Sequence, residues 1–303
     1  MPLELIIDTD AGIDDAQAIL LALGQPDVQV VAITTVSGNV HVDKVTRNVF
    51  KTLAAAGKQV PVYRGADRPL LNPFNDAEDF HGKDGLGDAN LPEAPGQVES
   101  EHAALALTRL AAANPGRYTL VAIGPLTNVA LATRLDPAFP ENLARLVFMG
   151  GAYEARGNIN IVAEYNIHTD PEAAAIVLNT FPRTTMVSWE LSVNHIVTWT
   201  QFDEIIDKSG RRVAFFNTIN AHLVKYHVGQ DGIPMPDPIA VAVAIDPRVV
   251  TEEVHAHVQV ELHGALTRGQ TVTDWKGGPR ANVITKIDTA HFWKMMRQSL
   301  GAD

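Results

Sequence analysis

Along the first 190 residues, short apolar runs alternate with stretches in which apolar residues recur every three or four positions. The runs at 3–7, 28–34, 60–63, 118–123, 146–149 and 184–188 read as buried strands, and the stretches at 14–23, 41–56, 101–113, 126–134 and 171–179 as helices. Strand and helix taking turns in this way implies right-handed crossovers and a parallel sheet covered on both faces. The expected fold is therefore α/β: an open, mostly parallel, Rossmann-like sheet with helices on both sides.

Beyond residue 190 the pattern changes. Helical spacing covers 201–207 and 211–227, and a third helix starts at Asp237. "VHAHVQVELHG" and "GQTVTDW" then alternate like a hairpin, "ANVITKI" like a further strand, and "TAHFWKMMRQSL" like a closing helix. These form a small C-terminal antiparallel elaboration. No linker rich in Ser, Gly or Pro divides the chain, so residues 1–303 are expected to form a single domain. The segment 64–96, dense in Gly, Pro, Asp and Asn, is too long for an idle connection and is expected to be an active-site loop.

With 46% hydrophobic and 19% charged residues, the chain can bury a large core. A net charge of −11 and the lack of a basic stripe argue against a nucleic-acid partner and favour a small neutral or cationic ligand. The sequence has no cysteine, which excludes disulfides, thiolate nucleophiles and cysteine-ligated zinc. The start MPLELIIDTD lacks the features of a signal peptide and no apolar stretch is long enough to span a bilayer, so a cytoplasmic protein without membrane contact is expected.

Open parallel sheets bind ligands beyond the carboxyl ends of their strands, and the polar clusters of this chain fall there. "DTDAGIDDA" follows the first strand, Ser37–Gly38–Asn39 the second, "GPLTN" the fourth, "GGAYEARGNINIVAEYN" the fifth and Trp189–Glu190 the sixth. In the first of these, a helix cap accounts for one or two acids. Four carboxylates (Asp8, Asp10, Asp14 and Asp15) within eight residues repel one another unless a cation or hydrogen-bond donors compensate. Carboxylate oxygens suit a hard cation. An aspartyl phosphatase would place Thr or Val where Gly12 stands, and no phosphate-cradling glycine loop follows the first strand.

"DTDAGIDDAQAIL", "AITTVSGNV", "GPLTNVALA", "VFMGGAY", "GNINIVAEYNIHTDPEAA" and "DPIAVA", taken in that order, resemble the inosine-uridine family of nucleoside hydrolases. The blocks run from residue 3 to about residue 245. The resemblance implies calcium-dependent hydrolysis of a ribonucleoside to ribose and free base. It also implies metal ligation by Asp10, Asp15 and Asp237 through carboxylates and by Ile123 through its backbone carbonyl. Asp14, Asn158, Glu164 and Asn166 would grip the ribose hydroxyls, Asn39 would sit near Asp10, and Met149 would line the sugar pocket. The chemistry needs such a set: carboxylates and amide oxygens stabilise an oxocarbenium-like sugar, and Asp10 would take the proton of the attacking water. Taken singly, Asn158 and Asn166 could satisfy loop backbone, and Asp237 could cap a helix begun by Pro238.

Two positions depart from the family pattern. Relatives usually have Pro where this chain has Ala11, a loss of turn rigidity. Many carry His immediately before the last metal-binding Asp, to protonate the leaving base; here Pro236 stands, and proline has no donor. The candidates for the base side are His81 in "FHGKDGLG", Trp189, and His222, Tyr226 and His227 near the end of the 211–227 helix. Either His222 or His227 could instead be a solvated surface residue, and Trp189 could belong to the core. His255 and His257 alternate on a strand and read as surface pairing rather than as a metal site. The expected protein is a calcium-dependent ribonucleoside hydrolase, a homodimer or homotetramer like its relatives. The alternatives are a non-catalytic protein that binds ribose or nucleosides through a metal, or a hydrolase of another N-ribosyl compound.

Overall fold

In the computed structural model, which describes residues 2–277 and 281–301, ten strands form one sheet and two more a small ribbon. In chain order the strands are β1 (Leu3–Thr9), β2 (Val28–Thr35), β3 (Val62–Arg64), β4 (Val98–Glu99), β5 (Thr119–Ala122), β6 (Arg145–Met149) and β7 (Thr184–Val187). They continue with β8 (Val197–Thr198), β9 (Gly232–Ile233), β10 (Val250–Val260), β11 (Thr271–Asp274) and β12 (Ala281–Ile287). Across the sheet the order is β11-β10-β12-β7-β6-β5-β1-β2-β3-β4.

All neighbours from β12 to β4 pair in parallel, and β10 runs antiparallel to both β12 and β11. The expected parallel sheet and its antiparallel elaboration are both present. "ANVITKI" has a double role that periodicity could not show: β12 extends the parallel sheet beside β7 and carries the hairpin on its other edge. The strand β4 and the four-residue helix Glu78–His81 went unpredicted, because elements of two to four residues carry no measurable period.

The strands of the parallel part are continuously apolar because both faces are buried. On β1, Leu5 and Ile7 enter one core and Ile6 the other, all without solvent exposure. The first core packs under helices Ile13–Gly24, Val42–Ala56, Arg211–Tyr226, Pro236–Ile245 and Thr289–Leu300. The second packs under Ala103–Ala113, Thr127–Leu135 and Pro171–Thr180. Helix Pro236–Ile245 is apolar on nearly every side and buried from Pro236 to Ala244, so it runs through the core and delivers its first turn to the sheet edge. Among the described residues, no helix is long and apolar enough to cross a membrane.

The chain winds outward from β1 in both directions, through β2, β3 and β4 on one side and through β5, β6 and β7 on the other. The order reverses between β1 and β5, which makes the carboxyl ends of these two strands the topological switch point where such sheets bind ligands.

Candidate active site

The turn after β1 is held by its own acids. Asp15 accepts hydrogen bonds on Oδ1 from the Thr9 hydroxyl (2.5 Å) and the Asp10 amide (3.2 Å). Its Oδ2 accepts from the Gly12 amide (2.8 Å) and from Asn39 Nδ2 (3.0 Å). Ala11 contributes to the turn through its amide, which donates to Thr9 Oγ1 at 3.1 Å, a bond proline could not make, and its φ is +25°. Asp10 is fully buried. Its Oδ2 accepts the Asn39 amide at 2.7 Å, while Oδ1 has no hydrogen-bond partner. A Cβ at Gly38 would stand 2.1 Å from Asp10 Oδ2, and one at Gly124 would stand 2.8 Å from Oδ1, so both neighbouring loops need glycine to close around this carboxylate.

Asp14 and Asp15 begin helix Ile13–Gly24, and Asp237 begins helix Pro236–Ile245. Each of the three offers an oxygen within 4.8 Å of the other two. Burial pushes Asp237 well above the usual carboxylate range, reinforced by the charges of Asp14, Asp15 and Asp10. Burial does the same to Asp10, reinforced by Asp15 and then Asp14, and it raises Asp15 as well. Asp14 is pushed up to about 6, mainly by burial. Its Oδ1 lacks a hydrogen-bond partner and lies 3.8 Å from His81 Nδ1. His81 is lowered to about 4 by burial, and it accepts the Ile13 amide on Nδ1 at 3.2 Å, so the neutral ring carries its proton on Nε2.

Further along the same edge, Asn166 donates from Nδ2 to the carbonyls of Ile123 (3.1 Å) and Met149 (3.3 Å), ending β5 and β6. Its Oδ1 is therefore the atom left for a ligand. Glu164 caps helix Tyr165–Thr169, accepting the Asn166 amide on Oε1 and the Gly151 and Ile167 amides on Oε2. Burial raises it to about 7 even so. Asn158 accepts the Tyr165 amide at 2.8 Å, which leaves its amide nitrogen free to donate. The Tyr165 hydroxyl donates to the Gly38 or the Asn75 carbonyl, and the Ala77 amide, donating to the Asn39 carbonyl at 2.9 Å, ties the segment 64–96 to the turn after β2.

A cavity of about 690 Å³ opens above these groups, of a size that suits a small-molecule ligand. Asp14, Asn39, His81, Ile123, Met149, Asn158, Glu164, Asn166 and Asp237 line its floor; Phe80, Trp189, Ile196, Tyr226 and His227 form an aromatic and apolar wall. Tyr226 meets the edge of Phe80 at 4.9 Å. His227 Nδ1 lies 2.9 Å from the Leu223 carbonyl, which can only accept, so the proton on Nδ1 is engaged and Nε2 is the other ring nitrogen. His222, earlier on the helix, is not part of the lining; its Nε2 is buried without a partner. Pro236 is at the cavity and offers no donor. Sequence reasoning passed over Phe80 and Tyr165, although each adjoins a candidate residue, His81 and Glu164 respectively. The lining contains neither Lys nor Arg.

The family model of the inosine-uridine preferring nucleoside hydrolase matches residues 5–294. The chain belongs to that family. It is an enzyme of that kind, a hydrolase of ribonucleosides. The inosine-uridine preferring nucleoside hydrolase of Leishmania major is 37% identical to it over 309 residues, spanning 99% of this chain and 98% of that one. That of Crithidia fasciculata is 38% identical over 311 residues, spanning 99% and 98%. Among solved structures, an inosine-guanosine nucleoside hydrolase superposes with a TM-score of 0.93 at 38% identity, covering 99% of both chains. The polar floor and the aromatic wall thus belong to a hydrolase that must hold a sugar and a base at once.

Proposed function

We propose that the protein hydrolyses the N-glycosidic bond of ribonucleosides to ribose and free base, with calcium in the carboxylate cradle and Asp10 as the general base. The observation that carries this reading is the concentration of acids at a cavity lined by no Lys or Arg: Asp14, Glu164 and Asp237 line it, and the fully buried Asp10 and Asp15 belong to the same turn as Asp14. The all-oxygen donor set and the unpartnered Oδ1 atoms of Asp10 and Asp14 fit a hard divalent cation. Asp10, Asp15 and Asp237 would hold it, together with the Ile123 carbonyl. When bound, the ion supplies positive charge that offsets the crowded carboxylates and makes nearby water more acidic.

The chain's own groups do the rest. Asp10, anchored through Oδ2 by the Asn39 amide, takes a proton from the attacking water. Asp14, Asn158, Glu164 and Asn166 orient the ribose hydroxyls, and their oxygens stabilise the positive charge that develops on the sugar. Met149 closes the floor beneath it. His81 stays neutral beside Asp14 and borders the base, while Trp189 and Tyr226 flank the base ring. Pro236 leaves the departing base without its usual donor, and His227 takes that role: Nδ1 is fixed on Leu223, so the protonated ring donates from Nε2. Residues 1–303 act as one domain in this reading, since strands from both ends of the chain share a sheet. The proposed assembly is a homodimer or homotetramer, which sedimentation of the purified chain tests.

The direct test incubates the protein and calcium with a panel of purine and pyrimidine ribonucleosides, following free base and reducing sugar. Stoichiometric release of both, abolished by a chelator and restored by calcium, is expected. Nucleoside binding with no release from any substrate would overturn the reading.

A further inference from the structure

Glu190 is fully buried and is absent from the cavity lining, yet three backbone amides of the sugar-side loop converge on it. Its Oε1 accepts from Glu154 (3.0 Å) and Arg156 (3.2 Å), and its Oε2 from Tyr153 (3.1 Å). Successive amides gathered on one anion form a nest, and Ala155 pays for it with a φ of +60° that turns the Arg156 amide back toward the carboxylate. Glu190 itself sits in the first turn of helix Trp189–Asn194, capped by Ser188 directly after β7. An irregular loop is in this way suspended from a strand end of the central sheet.

We infer that Glu190 is a positioning residue for ribose recognition: it sets the path of 153–156 and thereby places Asn158 and Glu164 on the sugar. The inference rests on the roles proposed above for those two residues. The path is short. Asn158 lies two residues beyond Arg156, its amide donates to the Ala163 carbonyl at 3.1 Å, and its side chain accepts the Tyr165 amide beside Glu164. The loop has a second, independent attachment. Thr271 on β11 accepts the Ala152 amide at 2.8 Å, and its hydroxyl lies 2.9 Å from the Ala152 carbonyl. Removing the Glu190 carboxylate should therefore shift the loop without releasing it.

Binding of the two product fragments provides the test: D-ribose on one side, hypoxanthine and uracil on the other, each titrated calorimetrically into calcium-loaded protein. Glu190→Gln keeps one acceptor oxygen but sets an amide N–H group against the Tyr153 amide; Glu190→Ala removes all three bonds. Ribose affinity is expected to fall roughly tenfold in Glu190→Gln and more in Glu190→Ala, with base affinity unchanged. Equal weakening of ribose and base, or native ribose affinity in both variants, overturns the inference. If Glu190→Ala does not fold, Glu190→Gln alone decides. Because the readout is binding, native protein that released no base would refute the hydrolytic reading while leaving this inference to be judged by the same titrations.

Discussion

In the polar floor of the cavity, the half proposed to hold the sugar, Asp14 shares a single turn with the buried Asp10 and Asp15, and Ile123, Met149 and Asn166 meet at the ends of adjacent strands. In the aromatic wall, the half proposed to hold the base, Phe80 meets Tyr226 and His227 edge to face, Trp189 joins from a third segment, and Tyr226 is more than half exposed. The first half is dense in backbone hydrogen bonds to carboxylates, which fix oxygen positions closely. The second depends on shape and stacking, which tolerate substitution. A reaction that always cleaves the same ribosyl bond but meets different bases is suited by a rigid sugar cradle and an adaptable base wall.

The largest expected effect breaks the sugar half alone. Asp10→Asn should lower the rate of base release by about three orders of magnitude while nucleoside binding persists, measured by steady-state kinetics and calorimetry. A near-native rate would remove Asp10 from its role as base.

The base half should respond less, and unevenly. His227→Ala is expected to cost about a hundredfold in kcat, most on substrates with poor leaving groups, whereas His222→Ala, off the cavity, should change kcat by less than about threefold. Equal losses in the two variants would mean that the helix, not a proton donor, was disturbed.

The buried acids at this edge of the sheet also set the pH response of the ion-free protein. Asp8 and Glu164 are raised to about 7 and Asp14 to about 6, each chiefly by burial. An unfolded chain loses these protons near pH 4, so between about pH 4 and 7 the folded state binds more protons, and its stability falls as pH rises. Chelated protein should lose roughly 5 °C or more in melting temperature between about pH 5 and 8. Calcium should restore most of that loss at the upper end. A melting temperature that rises over this interval, or that ignores calcium, would show that the acids are compensated without an ion.

The smallest effect is expected at the exposed wall. Tyr226→Phe keeps the ring on Phe80 and removes only a hydroxyl, so turnover should change by less than about threefold in a side-by-side assay. A larger loss would move the leaving-group donor from His227 to Tyr226.

The same contrast explains what could be read from the chain beforehand. The strands of the parallel sheet are long apolar runs bounded by turn residues, and each polar cluster follows its strand within a few positions, so the sheet edge and its acids were visible locally. The acid-rich turn was legible because like charges at that spacing need compensation. The choice among His81, His222 and His227 was not: position 222 lies in helix Arg211–Tyr226 and 227 caps its end, and only the packing of His227 against Phe80 and its bond to the Leu223 carbonyl put one at the cavity and leave the other off it. Glu190 was conspicuous as half of a Trp-Glu pair at a strand end, but its partners lie 34 to 37 positions earlier and are backbone amides, which leave no mark on side-chain patterns.

By itself, the amino-acid sequence determined the order of strands and helices, the family, and the turn that gathers Asp10, Asp14 and Asp15, because strand burial and turn chemistry act between neighbours along the chain. Only the tertiary structure decided that Asp237 joins Asp14 and Asp15 from more than 200 residues away, that Thr271 on the C-terminal hairpin holds the Ala152 backbone, and that His227 lines the cavity. Those outcomes depend on how helices and strands pack across the sheet, and no local spacing encodes that packing.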